Sequence, residues 1–123
     1  MPFPNDFYQY LSENTLVGIK AGNERDRFID IWVVEVNMRI FARTWSKSEN
    51  SWFTTFLRGE NGKIKYGDRA IDIVGRKLKN DPELTRLINQ AYLRKYNQPE
   101  NIFYAQGITK PEYEEYTLEF LPI

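Results

Sequence analysis

The sequence predicts an α+β fold in which a mainly antiparallel sheet closes, or nearly closes, into a barrel with helices covering its ends. Three observations carry this expectation. Six segments are rich in β-branched and aromatic residues, only one long stretch has clear helical periodicity, and strand follows strand without the intervening helices that a doubly wound sheet needs. A chain of 123 residues suits a single domain spanning 1–123.

Taken in order, Asn5 can cap a first helix in which Phe7, Tyr10 and Leu11 recur at helical spacing, ending near Asn14. Residues 16–20 read as a strand and 21–27 as the polar turn after it. Residues 28–36 are β-branched or aromatic on both parities, which suits a central strand covered on both faces. Asn37-Met38 turns the chain into a strand over 39–45, with Ile40, Ala42 and Thr44 on one face and Arg39, Phe41, Arg43 and Trp45 on the other.

After the polar loop 46–51, Trp52, Phe53, Phe56 and Leu57 have the spacing of a short helix, capped near Asn50 or Ser51 and stopped at Gly59. Gly67-Asp68 between 63–66 and 69–74 is the signature of a hairpin with a type II′ turn. Asp81-Pro82 opens the clearest helix, whose apolar stripe runs through Leu84, Leu87, Ile88, Ala91, Tyr92 and Tyr96, with Asn97 as a left-handed stop. The segment 98–111 reads as a long loop with packing or work of its own, and Tyr116, Leu118 and Phe120 share one parity of a last strand.

Composition removes several chemistries. The chain has no Cys and no His, so disulfides, thiolate metal sites, cysteine nucleophiles and imidazole bases are absent, and no metal site is expected. No run is long and apolar enough for a membrane span, and no signal-peptide pattern occurs, so the expected compartment is the cytoplasm. Seventeen basic residues balance seventeen acidic ones, so the net charge steers no polyanion toward the surface. Between Arg58 and Lys79 seven basic residues meet three acidic ones, but acids near the C-terminus (Glu112, Glu114, Glu115, Glu119) can cancel that excess, which favours a solvated hairpin over a nucleic-acid site. No two carboxylates have the spacing of an acid/base pair, and neither a P-loop nor a GxGxxG motif occurs. Asp30 interrupts an apolar strand; if buried it needs a partner, for which Arg43 is a candidate.

The run Ala91-Tyr92-Leu93-Arg94-Lys95-Tyr96, taken with Ile31-Trp32-Val33-Val34, Phe41-Ala42-Arg43, Ser51-Trp52-Phe53 and Thr117-Leu118-Glu119-Phe120-Leu121-Pro122, resembles an uncharacterised bacterial family, domain of unknown function 2255, over about 16–122. Its layout is also similar to that of flavin-binding split β-barrels, in particular the deazaflavin-dependent nitroreductase and quinone reductase branch. That resemblance implies a six-stranded split barrel, a homodimer, and FMN or a deazaflavin as cofactor of a small oxidoreductase. The cofactor phosphate would sit after the third strand on Arg43, Thr44, Ser46, Lys47, Ser51 and Trp52, with Trp45 or Trp52 stacking on the ring. The alternative is a module on the same barrel that has lost the cofactor and binds another small molecule or a protein. In both readings Lys95 is explained by the negative pole at its helix end, and Tyr92 and Tyr96 by packing, with their hydroxyls finding partners at the rim.

Overall fold

The computed structural model describes residues 2–22 and 26–123. Helix α1 (Asn5–Glu13) starts one residue earlier than a cap at Asn5 requires. Pro4 is extended and its carbonyl takes the first helical bond, from the Phe7 amide at 3.0 Å, so Asn5 is already helical and caps nothing. Phe7 and Leu11 are the buried residues of its stripe. Strand β1 (Val17–Ala21) follows, and the turn expected over 21–27 falls partly outside the described residues.

The expected strand 28–36 is two strands, β2 (Ile29–Ile31) and β3 (Val34–Val36). With β4 (Arg39–Arg43), β5 (Gly62–Tyr66), β6 (Arg69–Lys77) and β7 (Thr117–Pro122) they form one antiparallel sheet in the order β2-β1-β5-β6-β7-β4-β3. There are thus seven strands among the described residues rather than six, and the segment expected at the centre supplies both outer edges. Only Trp32 and Val33 separate β2 from β3, and three peptide steps span at most about 11 Å. The two edges are therefore held near one another, and the sheet curls into a half-barrel. The two-sided apolar character of 28–36 arises because each half pairs with a different neighbour, Ile29 to Ile31 with β1 and Val34 to Val36 with β4.

Both two-residue turns follow the expected chemistry. Asn37 and Met38 lie at φ 53° and 68°, the pattern of a type I′ turn. Gly67 lies at φ 62° and Asp68 does not share the positive region, as a type II′ turn requires.

One core fills the concave side: Ile19, Ile40, Ala42, Ile64, Ile73, Leu118 and Phe120 from the sheet, Phe7 and Leu11 from α1, and Trp52, Phe53 and Phe56 from α2 (Trp52–Leu57). Phe56 can lie on the sheet because β5 and β6 offer glycines beneath it. A Cβ at Gly62 would come within 2.7 Å of its ring and 2.4 Å of the Lys20 carbonyl oxygen, and one at Gly75 within 2.9 Å of its ring.

A second core lies on the outer side of β3 and β4. There Val34, Val36 and Phe41 pack on Leu84, Ile88, Ala91, Tyr92 and Tyr96 along α3 (Pro82–Lys95). Both faces of β4 are thus buried. Asp81 caps α3 by accepting from the Leu84 amide at 3.0 Å, but the helix ends at Tyr96, and Asn97 does not adopt the left-handed conformation expected of it. The segment 98–111, expected as a long loop, holds a further helix, α4 (Ile102–Ile108), and a short one, α5 (Pro111–Glu114), begins at its last residue; Ala105 and Ile108 seal the end of the second core.

Candidate functional site

Strand β4 ends with its side chains alternating between the two cores, and this places Arg43 on the outer face, beneath α3 and α4. The residue is 3% exposed. Its amide donates to the Tyr92 hydroxyl at 2.8 Å. The guanidinium donates from Nε to Thr117 Oγ1 at 2.9 Å, and from Nη1 to Asn89 Oδ1 at 2.5 Å and the Ile108 carbonyl at 3.2 Å. Among the described residues Nη2 is buried without any partner. No ion pair among the described residues includes Arg43; Glu114 reaches it only through the Asn89 amide, whose Nδ2 donates to Glu114 Oε2 at 3.1 Å. Burial consequently pulls the Arg43 pKa down from its ordinary value, and the Tyr92 hydroxyl beside it is pushed up to about 12 by its own burial.

A cavity of about 210 Å³ opens at this end of β4, walled by Asp30, Trp32, Arg43, Thr44, Trp45 and Trp52. Asp30 is exposed and makes no ion pair with Arg43, so the strand interruption needs no buried partner. Of the six residues expected to hold a phosphate, Arg43, Thr44 and Trp52 border the cavity.

The other three are engaged elsewhere. Ser46 Oγ accepts from the Ser48 amide at 3.2 Å, and Ser51 Oγ caps α2 by accepting from the Thr54 amide at 3.3 Å, which decides between the two cap candidates. Lys47 Nζ lies 3.6 Å from Glu112 and over the rings of Tyr113 and Tyr116. Thr44 Oγ1 accepts from the Ser46 amide at 3.1 Å, which holds the loop after β4. Trp45, 46% exposed, turns outward beside Tyr104 and Tyr113 and borders a neighbouring groove of about 500 Å³ with the exposed Phe103. Among the described residues no cluster of acidic side chains could hold a metal ion.

The tyrosines and lysine of α3 were legible as a pattern but not as contacts. Tyr96 Oη receives the Val33 amide at 3.2 Å and donates toward the carbonyls of Thr15 at 2.7 Å and Val33 at 3.1 Å, while its ring stacks on Trp32 at 3.9 Å. Lys95, explained from sequence by the helix pole, instead folds back and donates from Nζ to the Val33 carbonyl at 3.2 Å. Burial lowers its pKa to about 8. Asn89 and Thr117, which fix the Arg43 guanidinium, carried no signal in the sequence, because their roles depend on which strand and helix meet.

The family described as "Uncharacterized protein conserved in bacteria (DUF2255)" matches residues 12–120. The chain belongs to that family. Its spaced tyrosines are accounted for structurally: in this member of the family Tyr92 and Tyr96 satisfy backbone amides at the end of β4 and in the link between β2 and β3. No curated protein matches the sequence.

Among solved structures, this DUF2255 chain is similar to HutZ, the heme storage protein from Vibrio cholerae, at 11% identity and a TM-score of 0.61, over 99% of this chain and 89% of that one. It is also similar to the conserved hypothetical protein Rv2991 from Mycobacterium tuberculosis, at 11% identity and a TM-score of 0.58, over 100% of this chain and 80% of that one. At such identities the likeness is one of fold.

Proposed function

We propose that this protein binds a small organic anion, a ring carrying one carboxylate or phosphate, in the cleft at the end of β4. The carrying observation is the buried Arg43 guanidinium, which among the described residues has no carboxylate within ion-pair distance and no acceptor for Nη2, in a residue that borders an aromatic-walled cavity. A ligand oxyanion supplies both the missing acceptor and the missing charge. Trp32, Trp45 and Trp52 supply walls for a planar ring.

The flavin-dependent oxidoreductase is the second reading, and the residues fit it only in part. Three of the six expected phosphate ligands are committed to Ser48, Glu112 and the α2 cap. At about 210 Å³ the cleft is also smaller than the roughly 300–1,000 Å³ usual for ligand pockets. The split-barrel likeness and the aromatic groove beside Trp45 support a larger site completed by a second copy of the chain. Haem has weaker support, because the chain offers neither imidazole nor thiolate to iron.

The test is a thermal-shift titration with FMN, FAD, a deazaflavin, 4-hydroxybenzoate and phenyl phosphate, on the native protein and on Arg43→Met. A ligand at a hundred times its Kd adds about 2.7 kcal/mol, several degrees for a domain of this size. The expected result is a shift with a small ring anion that is lost in Arg43→Met, a variant checked for folding by its own melting curve. A shift with a flavin alone would promote the oxidoreductase reading, and a shift unchanged by Arg43→Met would remove Arg43 from the site.

A further inference from the structure

A second crevice, of about 310 Å³, lies between α1, β3 and α3, and shares no wall with the Arg43 cleft. Its apolar side is Leu11, Val34 and Ala91; its polar side is Tyr8, Ser12, Glu35 and Arg94, with Lys95 completing the wall. We propose that Lys95 is a reactive amine that condenses, in this crevice, with a small carbonyl compound bearing an acidic group, of the 2-oxo acid or aldehydic acid class.

The geometry is unusual for a lysine in the last turn of a helix. Its ammonium makes one hydrogen bond, to the Val33 carbonyl, lies 5.5 Å from the centroid of the Tyr96 ring, and enters no ion pair among the described residues. The groups facing the crevice leave it uncompensated. Among the described residues Glu35 is the one carboxylate in the lining, and its Oε2 accepts from the Met38 amide at 2.6 Å. The Tyr8 hydroxyl donates to the Met38 carbonyl at 2.9 Å, and Ser12 Oγ to the Gln9 carbonyl at 2.7 Å.

Desolvation by burial holds the Lys95 pKa near 8, so about half of the side chain is the free amine at that pH, whereas a solvated lysine is almost wholly ammonium. The free lone pair adds to the carbonyl carbon, and the carbonyl oxygen takes up a proton to give a carbinolamine. Loss of that oxygen as water, with the amine proton, leaves an imine. The step consumes amine and carbonyl, releases one water and needs no oxidant. Arg94, on the same wall, provides the cation for the acidic group.

The experiment uses the intact protein with glyoxylate and cyanoborohydride, followed by peptide mapping. The expected result is a carboxymethyl group on Lys95 formed at least about tenfold faster than on any other lysine, with a pH–rate midpoint near 8. Arg94→Gln is expected to slow labelling by glyoxylate while leaving labelling by the uncharged propionaldehyde unchanged. Label spread evenly over the lysines, a midpoint in the range of solvated lysines, or selective labelling by propionaldehyde alone would overturn the proposal. All three readouts are taken on folded wild-type protein, so they stand even if a variant at Lys95 fails to fold.

Discussion

Tyr96 places one hydroxyl where the backbone of Val33 has no strand partner, and this makes it the most exacting side chain of α3. Tyr96→Phe keeps the ring on Trp32 but strands the Val33 amide, and is expected to lower unfolding free energy by about 1–3 kcal/mol in urea titration. Lys95 makes the opposite contribution. Its pKa is about 8 in the folded chain and 10.5 as an ordinary side chain, so between those values the unfolded state binds more protons and stability rises with pH.

Below pH 8 the burial penalty is fully present. Lys95→Met is therefore expected to be more stable than the native protein at pH 7, by roughly 1–2 kcal/mol, with the advantage shrinking between pH 8 and 10.5. Equal melting differences at pH 7 and pH 10 would contradict this. Arg43 was legible as a candidate only through the split-barrel resemblance. Its burial was not, since that depends on Asn89, Thr117 and the Ile108 carbonyl arriving from distant elements.

At the scale of elements, the punctuation was the readable part. Asp81-Pro82, Asn37-Met38 and Gly67-Asp68 each fix local dihedrals, and each begins or turns an element where expected. The division of 28–36 was hidden because an apolar run on both parities looks the same whether it has two covered faces or changes partner half-way. Helices α4 and α5 were hidden by their shortness: Ile102, Ala105 and Ile108 give too few turns for a periodic signal. The seating of α2 gives a direct test. Gly75→Val forces a side chain into the Phe56 ring and is expected to destabilise by about 1–3 kcal/mol, whereas Gly59→Ala, with open space around it, acts only through its φ of 88°. A Gly75→Val variant that melts with the native protein would argue against the packing of Phe56 on the sheet.

For the whole molecule, the α+β class and the curled antiparallel sheet followed from strand count and helix scarcity, while strand order could not, because pairings between segments far apart in sequence leave no periodic trace. Charge is dispersed in local pairs such as Arg39 with Glu119 and Lys63 with Asp72, and no helix among the described residues is long and apolar enough to cross a membrane. The outer surface is instead marked by aromatics: Phe103 is 75% exposed and Tyr104 55%, next to Trp45. If these meet a second copy of the chain, as the dimer reading requires, light scattering should give twice the chain mass for the native protein and one chain mass for a still-folded Phe103→Asp, which also loses the concentration dependence of its melting temperature. A native monomer at micromolar concentration would remove the second copy from the site.

The hydroxyl of Tyr96 also gives the fold an internal clock. The Val33 amide belongs to neither β2 nor β3, yet its hydrogen is held by a side chain carried on α3. In deuterated solvent it can exchange only when the end of the helix lifts from the junction of the two sheet edges, so its exchange rate measures that local opening separately from unfolding of the ladder. A Val33 amide exchanging as slowly as those of β5 and β6 would mean that helix and sheet open as one cooperative unit; a faster one would identify the junction as the seam along which the half-barrel first loosens.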